Sequence, residues 1–107
     1  MNLINISFAE NVTTVSFKEA KIFDEKFIVD LGTELFDLAS KVEAGQSVLL
    51  DFATISYISS SALGKLITMN KKLKERSCSL KLINLNDDIM EVFEITRLNK
   101  FFVIEKS

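Results

Sequence analysis

The hydrophobic period changes repeatedly along this chain, and that alternation restricts the possible fold more than any other feature. Leu3-Ile4-Asn5-Ile6-Ser7-Phe8 and Thr13-Thr14-Val15-Ser16-Phe17 are short and rich in β-branched or aromatic residues. Ala9-Glu10-Asn11-Val12 separates them, so the chain is expected to begin with a β-hairpin. From Asp24 the period lengthens: Phe27, Ile28, Leu31, Leu35, Leu38, Ala39 and Val42 recur at helical steps. Glu25, Lys26, Asp30, Glu34, Asp37 and Lys41 lie mostly opposite them. This pattern predicts an amphipathic helix capped by Asp24 and stopped at Gly45. Gly32 within it costs stability relative to alanine, so this helix must rely on packing.

Val48-Leu49-Leu50-Asp51-Phe52 then reads as a strand covered on both faces, with Ile55, Tyr57 and Ile58 anchoring the following loop to the core. A second helix follows Ser59-Ser60-Ser61. Leu63, Leu66, Ile67, Met69 and Leu73 form its buried side; Lys65, Thr68, Lys71, Lys72 and Glu75 form its wet side. Leu80-Lys81-Leu82-Ile83 is a further strand. Asn86-Asp87-Asp88 caps a third helix closed by Asn99, and Phe101–Ile104 is the last strand. The order β-β-α-β-α-β-α-β describes a single α/β domain over residues 1–107. Its sheet is expected to be mixed, an antiparallel N-terminal hairpin followed by parallel strands joined through right-handed crossovers.

Composition narrows the chemistry. The chain has 107 residues, a net charge of −2, one cysteine and no histidine. Such a charge provides no basic footprint for nucleic acid or anionic membrane. No apolar run approaches the ~20 residues that span a bilayer, and the first residues lack a signal-peptide pattern. Lone Cys78 has no internal disulfide partner, which fits a reducing compartment, and the expected location is the cytoplasm. Without histidine there is no Ser-His pair, and a single cysteine cannot build a thiolate zinc site. With only three glycines there is no phosphate-binding or nucleophile-elbow motif. The expectation is a protein that is not an enzyme and that uses neither cofactor nor metal.

Ser59, Ser60 and Ser61 stand between a strand end and a helix start, a place where α/β sheets collect function. On position alone, plain N-capping is the favoured reading, because serine is among the best cap residues. A nucleophilic serine needs a base, and Lys65, placed by its spacing on the exposed side, does not supply one. A third reading is that a partner phosphorylates one of these hydroxyls at the positive end of the helix dipole.

The segment "SVLLDFATISYISSSALGKL" resembles the signature region of STAS domains, the family of bacterial anti-sigma-factor antagonists. The serine run, Leu63-Gly64 and the preceding strand fall at the family's spacing. The resemblance implies a regulatory binding module whose partner is a serine kinase that also acts as an anti-sigma factor. That kinase phosphorylates one serine, the complex dissociates, and a serine phosphatase resets the module. Aligned on Leu63-Gly64, the phosphoserine falls on Ser60, with Ser59 and Ser61 as the lesser candidates. Asp24, Ser59, Ser61 and Lys65 are assigned to partner binding. Ser59 stands where many members carry aspartate, Ala62 replaces a usual glycine, and little chain follows for the C-terminal helix that many members have.

Two other functions fit the same fold. One is a constitutive scaffold subunit of a transporter or stress-sensing complex, in which the serines only cap a helix. The other is a phosphoacceptor receiver with Asp51 at its strand end and Glu10 as an accessory carboxylate. Lys71, Lys72, Lys74 and Arg76 read as a solvated face, Cys78 as a packing residue, and the phenylalanines as mostly core.

Overall fold

The computed structural model describes residues 3–105. β1 (Ile4–Ala9) and β2 (Val12–Phe17) form the expected antiparallel hairpin, with Ala9 opposite Val12. Its turn is only Glu10-Asn11, two residues shorter than the sequence suggested. It closes because Asn11 takes the left-handed conformation at φ 64°, which asparagine tolerates well. The chain continues through β3 (Lys21–Ile22), α1 (Glu25–Lys41), β4 (Ser47–Asp51), β5 (Tyr57–Ile58) and α2 (Ser60–Glu75). It ends with β6 (Ser79–Ile83), α3 (Asp87–Ile95), a 3-10 turn at Leu98–Lys100 and β7 (Val103–Glu105).

The main sheet has the order β1-β2-β4-β6-β7, and every pairing after the hairpin is parallel. The mixed sheet and its single α/β layer therefore follow the expected plan. Each crossover, β2 to β4, β4 to β6 and β6 to β7, steps in the same direction across the sheet. Right-handed connections stepping one way place α1, α2 and α3 on one face. Burial alternates to match: Val15, Phe17, Val48, Leu50, Leu80 and Leu82 are buried beneath the helices. Leu49, on the other face of β4, is only half-buried, so that strand is covered on one side and not on both.

Other boundaries shift for local reasons. α1 ends at Lys41, with Val42 as C-cap, and Gly45 instead sits in the following turn at φ 86°. The α1 terminus is closed from outside: the Arg76 guanidinium donates to the Val42 carbonyl from Nε at 3.1 Å and Nη2 at 2.6 Å. Arg76 is thus a capping residue for a neighbouring helix and not part of a merely solvated face. The left-handed residue after α3 is Arg97, at φ 63°, and not Asn99, which lies in the 3-10 turn. That turn consumes Phe101 and Phe102, so β7 begins only at Val103; Phe102 is buried and Phe101 lies at the surface. Cys78 is buried with its thiol against the Glu43 carbonyl at 3.1 Å, as a packing residue would be.

The receiver alternative fails on register. Val12 pairs with Ser47 and Ser16 with Asp51, so Glu10 sits at the start of β4 and Asp51 at its end. The four residue steps separating those pairs span ~13 Å, too far for a shared ion. Among the described residues, no group of three acidic, cysteine or histidine side chains is placed to hold a metal.

The phenylalanines divide between core and surface. Phe17, Phe52, Phe93 and Phe102 are buried, whereas Phe8 and Phe23 are exposed. The four buried rings form a continuous edge-to-face row, with centroids 5.5 Å apart from Phe17 to Phe52, 6.1 Å from Phe52 to Phe93 and 5.8 Å from Phe93 to Phe102. Phe52 is central to this row and directly precedes the loop leading to the serines. Truncating it leaves a large cavity, so Phe52→Ala is expected to lower unfolding free energy by about 3–5 kcal/mol. Urea titration should show a lower midpoint with an unchanged slope.

Candidate functional site

Two very short strands bring the starts of α1 and α2 together. Lys21 pairs with Tyr57 and Ile22 with Ile58 in parallel register, forming a two-stranded sheet of their own. The Ile22 carbonyl then accepts from the Ser59 backbone N–H at 2.9 Å. Two residues beyond Ile22 the chain reaches Asp24, the N-cap of α1, and one residue beyond Ile58 it reaches Ser59, the N-cap of α2. Each cap thus follows closely on an anchored isoleucine, since Ile22 and Ile58 are both buried.

The loop before the serines is fixed by polar side chains. Asp51 Oδ1 accepts from the Ala53 N–H at 2.9 Å and from Asn84 Nδ2 at 3.0 Å. Asn86 caps α3 through Oδ1, which accepts from the Ile89 N–H at 2.8 Å, while its Nδ2 donates to the Ile55 carbonyl at 3.0 Å. Ile55 and Ile58 point into the core as the sequence indicated. Tyr57 does not: it is 52% exposed and packs edge-on against Phe23, centroids 6.2 Å apart, to make a surface aromatic pair.

The three serines have three different environments. Ser59 Oγ accepts from the Ala62 N–H at 3.3 Å and is the cap. Ser61 Oγ donates to Glu25 Oε1 at 3.1 Å, joining the first turn of α2 to that of α1. Ser60 is the first helical residue and is exposed, with no hydrogen bond from its hydroxyl among the described residues. The first turn of α2 carries no acidic residue, whereas α1 starts with Glu25 and α3 with Asp87 and Asp88. α2 thus brings no acidic residue of its own to its positive end, and the carboxylate held against its first turn is Glu25 of α1.

Asp24 belongs to this corner. It is exposed, and its carboxylate accepts from the Phe27 N–H at 3.0 Å as the α1 cap. Lys65 lies further along α2 and is not on its open side. A Cβ added at Gly32 would come within 2.9 Å of Lys65 Cδ, and Lys65 Nζ is 5.9 Å from the Phe36 ring centre. The lysine stem therefore fills the α1–α2 seam, and Gly32 is the residue that leaves it room. Gly64 is exposed and has open space where a Cβ would project.

Sequence reasoning missed Glu25 as the partner of Ser61, and it missed the Phe23–Tyr57 pair. For the aromatic pair the available signal was Phe23, an apolar residue directly before the Asp24 cap; for Glu25 there was none. The distinct serine roles lead to distinct stability effects. Ser59→Ala should cost about 1 kcal/mol through loss of the cap. Ser60→Ala should stay within about 0.5 kcal/mol of the parent. Paired urea melts of the two variants check this ordering.

Comparison with known proteins follows the same plan. The model of the STAS domain family matches residues 9–107. The anti-sigma-B factor antagonist of Bacillus subtilis (strain 168) is 30% identical over 95 residues, covering 89% of this chain and 84% of that protein. The anti-sigma-B factor antagonist of Listeria monocytogenes is 32% identical over 65 residues, 61% of this chain and 57% of that protein, so the match spans less than two thirds of that relative. Among solved structures, an anti-sigma-factor antagonist (STAS) domain protein from Planctomyces limnophilus shares the fold with a TM-score of 0.86. That match covers 97% of this chain and 90% of the other at 18% identity. With its hairpin-led mixed sheet, one-sided helices and serine-capped α2, this chain belongs to the STAS domain family.

Proposed function

We propose that residues 1–107 act as one STAS domain that antagonises an anti-sigma factor in the cytoplasm and is switched by phosphorylation of Ser60. The partner is a serine kinase that is itself the anti-sigma factor, and a serine phosphatase reverses the modification. The observation carrying this reading is that Ser60 is exposed while both neighbouring hydroxyls are engaged, Ser59 with Ala62 and Ser61 with Glu25. Its setting supports a docking surface. Phe23 and Tyr57 are apolar yet exposed, Asp24 and Glu25 add negative charge, and Gly64 leaves the next turn of α2 bare for close approach.

A phosphoryl group on Ser60 would bring a charge of about −1.5 to −2 to this corner. Like charges ~4 Å apart at an effective dielectric of ~20 repel by ~4 kcal/mol. A hundredfold loss of affinity requires only ~2.8 kcal/mol. Repulsion from one acidic group on a docked partner is therefore sufficient to release it. The α2 amides and dipole accept the charge locally, so the fold is retained.

The test is incubation with the cognate kinase and ATP followed by mass spectrometry. Modification is expected at Ser60 and lost in Ser60→Ala; undiminished modification of that variant refutes the site. Ser60→Asp should weaken kinase binding at least tenfold by calorimetry. Unchanged binding would favour the constitutive scaffold, in which the Ser59 cap is the whole purpose of the run.

A further inference from the structure

The outer edge of the sheet offers a second interaction surface. Among the described residues β1, Ile-Asn-Ile-Ser-Phe-Ala, pairs only with β2, and it carries neither a charge nor a proline. Edge strands normally carry such residues, or bulges, to prevent pairing with another chain. Ile6 is 41% exposed and Phe8 74% exposed. Both border a groove of about 670 Å³ between β1 and the C-terminal half of α1, whose other walls include Leu38 and Val42.

Backbone phase defines what can occupy this edge. The Lys18 N–H donates to the Leu3 carbonyl at 3.2 Å, and the register continues with Ile4 opposite Phe17. Leu3, Asn5, Ser7 and Ala9 therefore direct their backbone groups toward β2. Ile4, Ile6 and Phe8 direct theirs to the free edge. We propose that β1 pairs antiparallel with β1 of a second copy about a two-fold axis through Ile6, joining the two sheets into one.

The strand is self-complementary in two respects. First, an axis through Ile6 pairs Ile6 with itself and Ile4 with Phe8, which are the residues with outward-facing backbone groups. Second, the strand is uncharged, so no like charges meet across the pair. Leu3 N–H bonds to the Glu34 carboxylate at 3.0 Å and the Ser47 N–H bonds to the Asn11 carbonyl at 3.0 Å, so α1 and β1 run in the same sense. The two-fold therefore sets the two α1 helices antiparallel, each with Lys41 paired to Asp37 of its own helix at 2.9 Å. Such an interface closes on itself and yields a dimer, not a fibre. It lies beside the C-terminal half of α1 and leaves the Ser59–Ser61 corner open on both copies.

Light scattering on the unphosphorylated chain, from micromolar to millimolar, should show a shift from monomer to dimer mass. Ile6→Lys should abolish that shift. Ile6→Pro should also abolish it with little effect on thermal melting, because the amide it removes makes no bond to β2. In an antiparallel bonded pair, Cα atoms are ~5.5 Å apart, within disulfide range. Ile6→Cys should therefore oxidise to a covalent dimer. Phe8→Cys should not, because the two copies of position 8 lie ~13 Å apart along the strand. A chain that is monomeric throughout overturns the proposal and leaves the edge for a foreign strand. A dimer that survives both Ile6 substitutions, or crosslinks as readily through position 8, overturns it equally.

Discussion

The uniform direction of the parallel crossovers governs the rest of this molecule. Since β2, β4, β6 and β7 are laid down in one direction, the right-handed rule places all three helices on one face. The core is consequently a single layer between that face and the helices, with the row from Phe17 to Phe102 running through it. The same geometry sends each helix back antiparallel to its strands. Helix starts therefore gather beyond the carboxyl ends of the strands, where α/β folds concentrate function.

The candidate site is a local elaboration of that rule. The pairing of Lys21-Ile22 with Tyr57-Ile58 sets Asp24 and Ser59 side by side, although 35 positions separate them in the chain. Three adjacent serines at this point are not redundant. One satisfies the helix backbone, one bonds to the other helix, and one stands exposed to solvent. Placement of the exposed hydroxyl at the first helical position lets a charge be added where backbone amides can receive it, with no rearrangement of the core.

Sequence patterns revealed those parts of the fold in which local preference and packing agree. The hairpin, the three helices and the caps at Asp24 and Asn86 are specified by short-range periodicity and by cap chemistry. The errors arose where distant residues decide. β3 and β5 have two residues each, too few to display a period, and they exist because each pairs with the other. Lys65 has the spacing of a surface residue, but Gly32 on another helix opens the space that its stem occupies. Tyr57 looked like an anchor because it precedes Ile58, yet strand alternation turns it outward to meet Phe23. Phe101-Phe102 resembled a strand, whereas the left-handed Arg97 redirects the chain into a 3-10 turn first. At the site, the motif spacing indicated Ser60, but Ser61's bond to Glu25, 36 residues away, had no local trace.

The clasp between Arg76 and the Val42 carbonyl bears on how a signal can leave this domain. α1 and α2 lie parallel, joined at their starts by Ser61 and Glu25 and at their ends by that guanidinium, with the Lys65 stem wedged between. Two rods fastened at both ends resist the relative sliding or tilting by which many regulatory proteins relay an event to a distant face. Under the proposed switch, a phosphoryl group at the α2 start would act where it sits. A partner would read it by direct touch, as a difference in charge and shape that weakens as salt screens it.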